Sequence, residues 1–226
     1  VVLVVMVVLD FSLTLDKTKA KCFPPHDIVG SEVEETLPSG EGSQELIKLM
    51  KASREILDEH PVNRRRVESG KNPGNMIWLW GQGRAPSIPT FQEKYGLSGG
   101  VITAVDLIKG IGRYAGLRAI DVPGATGYFD TDYSAKAEHA LRVLNESDFV
   151  FVHVEAPDEA GHTRNLQAKI EALEKFDAKI VGYLLKALRN CGEFKILLLP
   201  DHATPLEVAT HVSDPVPFVI YDSSQP

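Results

Sequence analysis

From Asn75 onward the chain alternates short apolar runs with stretches of helical spacing, and this alternation limits the fold more than any other feature. Residues 76–80, 100–104, 118–122, 149–154, 194–199 and 217–221 are strand-like runs. Residues 106–115, 133–145 and 166–188 carry apolar side chains at helical intervals, the last as a long amphipathic helix. Strands alternating with helices predict an α/β fold, a mostly parallel sheet flanked by helices on both faces. In such sheets ligands gather beyond the carboxyl ends of the strands.

The first third has a different texture. Residues 1–15 read as strand, and 17–42 are irregular, with Pro24, Pro25, Pro38, Gly30, Gly40 and Gly42. A helix is predicted from Ser43 to near His60-Pro61. The run from Val1 to Leu9 is too short for a bilayer, which needs about 20 residues, and lacks the flanks of a signal peptide, so no membrane role is expected. The chain opens at Val1, in mid-strand and without an initiator methionine, and reads either as a fragment or as a sequence from which stretches are omitted.

A chain of 226 residues accommodates one large domain, or one domain and a smaller lobe. A net charge of -7 argues against a general nucleic-acid partner. The two cysteines, Cys22 and Cys191, make neither a disulfide framework nor a CxxC metal pair, which points to a reducing cytoplasm.

The chemistry concentrates at predicted strand ends. Asp158-Glu159-Ala160-Gly161-His162 follows the run at 149–154. Asp158 and His162 stand four residues apart, so one helical turn puts both on one face. Pro200-Asp201-His202 follows the run at 194–199, and His211 precedes the last one. Taken singly, these read as a helix cap, an Asp-initiated turn and a loop histidine. Jointly they offer carboxylate and imidazole donors that suit Mn, Zn, Fe or Co better than Mg or Ca. Gly81-Gln82-Gly83-Arg84 is no Walker motif, yet it can present backbone N–H groups and Arg84 to an anion. Lys109, beside Gly110 and Gly112, invites the same reading, as do Arg64, Arg65 and Arg66, although most such arginine runs are solvated faces. His153 lies within a strand and reads as a packed core histidine or as a partner of the ligands.

These segments resemble the cofactor-independent phosphoglycerate mutases, in their archaeal-type branch. The match rests on His153-Val154-Glu155-Ala156-Pro157-Asp158-Glu159-Ala160-Gly161-His162, Pro200-Asp201-His202-Ala203-Thr204-Pro205 and His211-Val212-Ser213-Asp214-Pro215-Val216-Pro217. Supporting segments are His60-Pro61-Val62-Asn63-Arg64, Asp106-Leu107-Ile108-Lys109-Gly110-Ile111-Gly112 and Pro123-Gly124-Ala125-Thr126-Gly127. The resemblance implies an alkaline phosphatase-like core over residues 71–226, with residues 1–70 as part of a smaller inserted lobe and linker. It implies two divalent metal ions, manganese first and zinc or cobalt as alternatives, and no need for 2,3-bisphosphoglycerate.

By that resemblance Asp158, His162 and His211 hold one ion, and Asp201 and His202 help hold the second. Lys109 and Arg84 are candidates for contact with a small phosphorylated carboxylate. The expected reaction is interconversion of 3-phosphoglycerate and 2-phosphoglycerate through a phosphoserine, in the cytoplasm. The family's nucleophilic serine has no counterpart here: Asp10 follows an apolar run, but Phe11 stands where the family has Gly, and Ser12 and Thr14 lie too close to Asp10. No nucleophile is therefore assigned. Two alternatives stay open: another phosphotransferase on the same scaffold, homoserine kinase-like or acting on sugars, and a non-catalytic remnant that binds metal or a phosphorylated ligand.

Overall fold

The computed structural model describes residues 19–25, 28, 30–82 and 86–225. The strand predicted over 1–15 and the candidate anion contact Arg84 lie outside the described residues. The chain forms two compact units, Val1–Ala85 and Pro86–Pro226.

In the first unit, α1 (Val33–Thr36), α2 (Ser43–Asp58) and α3 (Pro61–Glu68) precede an extended segment. Met50, Met76 and Trp78 are its buried centre, with Ile28, Val33 and Leu37 packed around them. The run at 76–80, predicted as a strand, enters no ladder among the described residues. Met76 and Trp78 still alternate into the core as a strand's residues would, and the Ile77 N–H bonds a side chain where a strand would bond its neighbour. Ser53 Oγ accepts from Ile77 N at 3.0 Å, and Trp78 Nε1 donates to the Phe23 carbonyl at 2.9 Å. Asn63, buried in α3, exchanges bonds with Gly74 N and O at 2.9 and 2.8 Å. Two of the arginines around it are held locally: Arg64 pairs with Glu59, and Arg66 Nε donates to the Asn72 carbonyl.

The second unit carries the predicted parallel sheet. Strands β1 (Gly99–Ile102), β2 (Arg118–Ile120) and β3 (Phe149–Val152) pair in the order β2-β1-β3, all parallel. Every residue of the central strand β1 is buried. Helices cover both of its faces, because neighbouring residues point in opposite directions. Gly100 lies beneath Val143 of α6 (Tyr133–Leu144), and Val101 presses on Gly112 of α5 (Asp106–Tyr114). A Cβ at Gly112 would stand 2.5 Å from Val101 Cγ1, so only glycine lets α5 approach this closely. Near the start of the second unit, the short α4 (Phe91–Tyr95) opens on a Thr90/Glu93 capping box, a signal not read from the sequence.

After β3 come α7 (Ala156–His162) and α8 (Leu166–Phe176), a π-helical turn (Asp177–Val181) and α9 (Gly182–Leu188). The last three run continuously where one helix was predicted. Tyr133, Ala137, Ala156, Ala172 and Ile180 form the core behind them. Strands β4 (Lys195–Leu198) and β5 (Val219–Asp222) pair with each other, antiparallel. Here the sheet expected from the sequence divides: this pair joins no other strand among the described residues. A parallel return needs a crossover, usually a helix. Residues 199–218 hold no helix, so the last strand comes straight back.

Candidate metal centre

Parallel pairing places the carboxyl ends of β1, β2 and β3 at one edge, just before Thr103, Asp121 and His153. Helix α7 begins four residues past the end of β3 and carries Asp158 in its first turn, where the helix dipole favours a carboxylate. One turn later His162 Nε2 stands 3.2 Å from Asp158 Oδ2.

The segment between β4 and β5 supplies the other donors. His211 Nε2 is 3.5 Å from Asp158 Oδ1 and 3.1 Å from His162 Nε2. His202 stacks near His211, ring centroids 3.8 Å apart, with its Nδ1 3.9 Å from Asp158 Oδ1. Asp158, His202 and His211 offer ligand atoms all within 4.8 Å of one another. Asp201 is more peripheral: its carboxylate faces His202 Nε2 at 3.5 Å and is 67% exposed.

The donor chemistry fits a divalent cation. His162 Nδ1 lies 3.0 Å from the Ala209 carbonyl, which can only accept, so Nδ1 carries the proton. That leaves the Nε2 lone pair directed at Asp158 and His211, the arrangement a metal-bound imidazole uses. Burial, with the rings of His202 and His162 nearby, holds His211 below the usual imidazole range and keeps it neutral; Asp158 opposes this only in part. Thr204, buried, donates its hydroxyl to Asp158 Oδ1 and lies 3.2 Å from His202 Nδ1, so it orients both.

A second polar group lies beneath. Lys136 on α6 is only 1% exposed and donates to the His153 carbonyl at 2.9 Å. Burial brings its ammonium down to about 8, against the pull of Glu155. Burial also lifts the Glu155 carboxyl to about 7; Asp158, Glu159 and Asp201 add to this and Lys136 opposes it. His153 touches Thr103 Oγ1 at 3.2 Å through Nδ1 and Glu155 at 3.4 Å through Nε2. Burial depresses its basicity, so it behaves as a packed, neutral ring.

The structure thus brings together Asp158, His162, His202 and His211, with Asp201 at the margin. Lys109 takes another place: its Nζ pairs with Asp121 at 2.8 Å and Asp106 at 3.9 Å, at the end of β2. Sequence reading passed over Thr204, Lys136 and Glu155. For Lys136 a signal existed, a lysine on the face that Tyr133, Ala137 and Ala140 bury. For Thr204 there was none, because its role comes from a contact with Asp158 across the chain.

Comparison with known proteins agrees with this chemistry. The family model described as the metalloenzyme superfamily matches residues 19–226. A 2,3-bisphosphoglycerate-independent phosphoglycerate mutase of Methanothrix thermoacetophila is 55% identical over 205 residues, covering 90% of this chain and 52% of that protein. The enzyme of the same name from Methanosarcina acetivorans is 54% identical over 211 residues, covering 92% of this chain and 53% of the relative. The chain therefore spans about half the length of the curated relatives it matches. Among solved structures, the PH0037 protein from Pyrococcus horikoshii superposes with a TM-score of 0.66 at 35% identity, over 80% of this chain and 47% of that one.

Proposed function

The chain belongs to the metalloenzyme superfamily, and from that premise we propose that it works as a 2,3-bisphosphoglycerate-independent phosphoglycerate mutase, interconverting 3-phosphoglycerate and 2-phosphoglycerate. The observation that carries the reading is the meeting of Asp158, His162, His202 and His211 in one cluster. In this reading Asp158, His162 and His211 hold one divalent cation, and Asp201 and His202 help hold a second. Manganese is the first choice for a mixed carboxylate and imidazole set, with zinc or cobalt as alternatives. Bound cations supply charge that stabilises the attacking and leaving oxygens of a phosphoryl transfer.

The chain's own residues prepare for that charge. His162 turns Nε2 toward Asp158 and His211, because Nδ1 donates its proton to the Ala209 carbonyl. Thr204 fixes the Asp158 carboxylate. His211 stays neutral and thus able to ligate. Lys109 at the same sheet edge, and Arg84, are proposed contacts for the substrate's phosphate or carboxylate. The setting we propose is the glycolytic cytoplasm, where Cys22 and Cys191 remain free thiols, as they are here.

Phosphorus NMR of the full-length protein with manganese and 3-phosphoglycerate tests the reading, since the 226 residues alone, in which no nucleophilic serine is assigned, are expected to give no product. The expected result is a 2-phosphoglycerate signal without added 2,3-bisphosphoglycerate, abolished in Asp158→Ala. A parallel run with homoserine and ATP separates the kinase alternative. No product in either run, with no cation retained, would overturn the proposal.

A further inference from the structure

Two residues other than glycine take left-handed backbone among the described residues, Arg164 at φ 54° and Ala209 at φ 59°. Such a conformation is strained for an L-residue with a side chain. Both lie beside the candidate centre, on the two segments that build it.

Arg164 sits just past the end of α7. Its N–H bonds the Gly161 carbonyl at 3.1 Å, and the Asn165 N–H bonds the Ala160 carbonyl at 2.9 Å. That pair of bonds is a Schellman closure, whose left-handed position is ordinarily glycine. An arginine there accepts strain that glycine would avoid, and its side chain shows a reason. Arg164 Nη1 donates to the carbonyls of Leu206 and Glu207, at 3.2 and 2.7 Å. Lys169 Nζ donates to the Thr204 carbonyl at 2.7 Å. His162 Nδ1 donates to the carbonyl of Ala209 at 3.0 Å.

Side chains from the α7–α8 corner therefore hold four carbonyls of one irregular segment, 204–209. The segment has few bonds of its own: Ala209 N to Pro205 O, and a single bridge between Ala203 and Val212. It leads directly into His211. We infer that Arg164 and Lys169 are positioning residues of the cation site, a basic clamp that seats segment 204–209 on α7 and so aims His162 and His211 at the Asp158 carboxylate. The left-handed turn at Ala209 belongs to the clamp, since the carbonyl of that residue sets the His162 tautomer. This inference rests on the proposed cation site, but the clamp can be read without a cation.

The test uses the whole chain and the variants Arg164→Gly, Arg164→Lys and Lys169→Met. Arg164→Gly relieves the backbone strain while removing the guanidinium, so its cation-free unfolding temperature should hold or rise. Manganese and cobalt affinity, measured by calorimetry, should nevertheless fall roughly 10-fold, the lower range for loss of an outer-sphere partner. Lys169→Met should fall likewise, and Arg164→Lys should recover most of the affinity. The cobalt absorption spectrum should change in Arg164→Gly, which a purely structural role would not cause. Long-range proton–nitrogen correlation spectra of the cation-free protein give a separate readout: His162 carries its proton on Nδ1 in the parent and becomes a tautomer mixture in Arg164→Gly. Unchanged affinity with an unchanged His162 tautomer would refute the clamp. If the parent binds neither metal, the cation reading fails, and the tautomer spectra alone judge the clamp.

Discussion

The two segments that meet at the candidate centre are built by opposite means. Helix α7 presents Asp158 and His162 through its own periodicity, and its backbone bonds are internal. The segment from Asp201 to His211 has almost no regular structure, and it borrows its shape from side chains of α7 and α8. One half of the site is local and rigid. The other is irregular and positioned from outside. An ion held by both would tie them together, which is how metal binding becomes a contribution to folding stability.

The strongest challenge to that comparison is Asp158→Ala, because this carboxylate touches both halves. Removing it should weaken divalent-cation binding by more than about 100-fold, since outer-sphere losses alone reach that size. Titration calorimetry with manganese decides it, and retained affinity would mean that the halves meet elsewhere.

Gly161→Ala forces the halves apart. An added Cβ would lie 2.5 Å from the Thr204 carbonyl oxygen, a backbone atom with no rotamer to yield. The expected loss is about 2–3 kcal/mol, read as a fall in denaturant midpoint. A stability equal to the parent would show that the irregular segment moves freely against α7.

Thr204→Val keeps the shape and deletes the hydroxyl bridging Asp158 and His202. A hydrogen bond to a charged group contributes about 1.5–3 kcal/mol, and the partial exposure of Asp158 favours the lower end. If unfolding of the cation-free variant matches the parent, the hydroxyl serves orientation and adds no stability.

The smallest effect concerns the base of the helical half. Glu155 has its folded value raised to about 7 from 4.5, so its contribution is fully present below about pH 4.5 and is lost as pH rises through 7. Glu155→Gln should therefore gain on the parent between pH 5 and pH 8, by roughly 2–4 °C in melting temperature, the shift of about 1 kcal/mol in a chain of this size. Lys136 acts in the opposite sense: its folded value, lowered to about 8 from 10.5, removes stability as pH falls through 8. His211, also depressed, loses its contribution as pH falls below the usual imidazole range. Melting curves of the cation-free protein at pH 5 and 8 check the sign, and a gain confined to pH 5 would reverse it.

How much of this was legible in the sequence follows the same division. The strands at 99–102, 118–120 and 149–152 and the helices between them announced themselves, because periodicity is a local property of the chain. The Asp158–His162 pair was legible for the same reason. The run at 76–80 misled, since an apolar, alternating segment reads as a strand whether a ladder or a side chain such as Ser53 serves its backbone.

The order of residues by itself determined the α/β alternation, the helical half of the site and the donor types, because each depends on neighbours within a turn or a strand. Tertiary structure alone decided the rest: that β5 returns antiparallel to β4, that Lys136 donates to the His153 carbonyl, and that Arg164 and Lys169 hold the segment leading to His211. Those contacts join residues far apart in the chain, so no local pattern encodes them. They exist only once packing has brought their partners within hydrogen-bond reach.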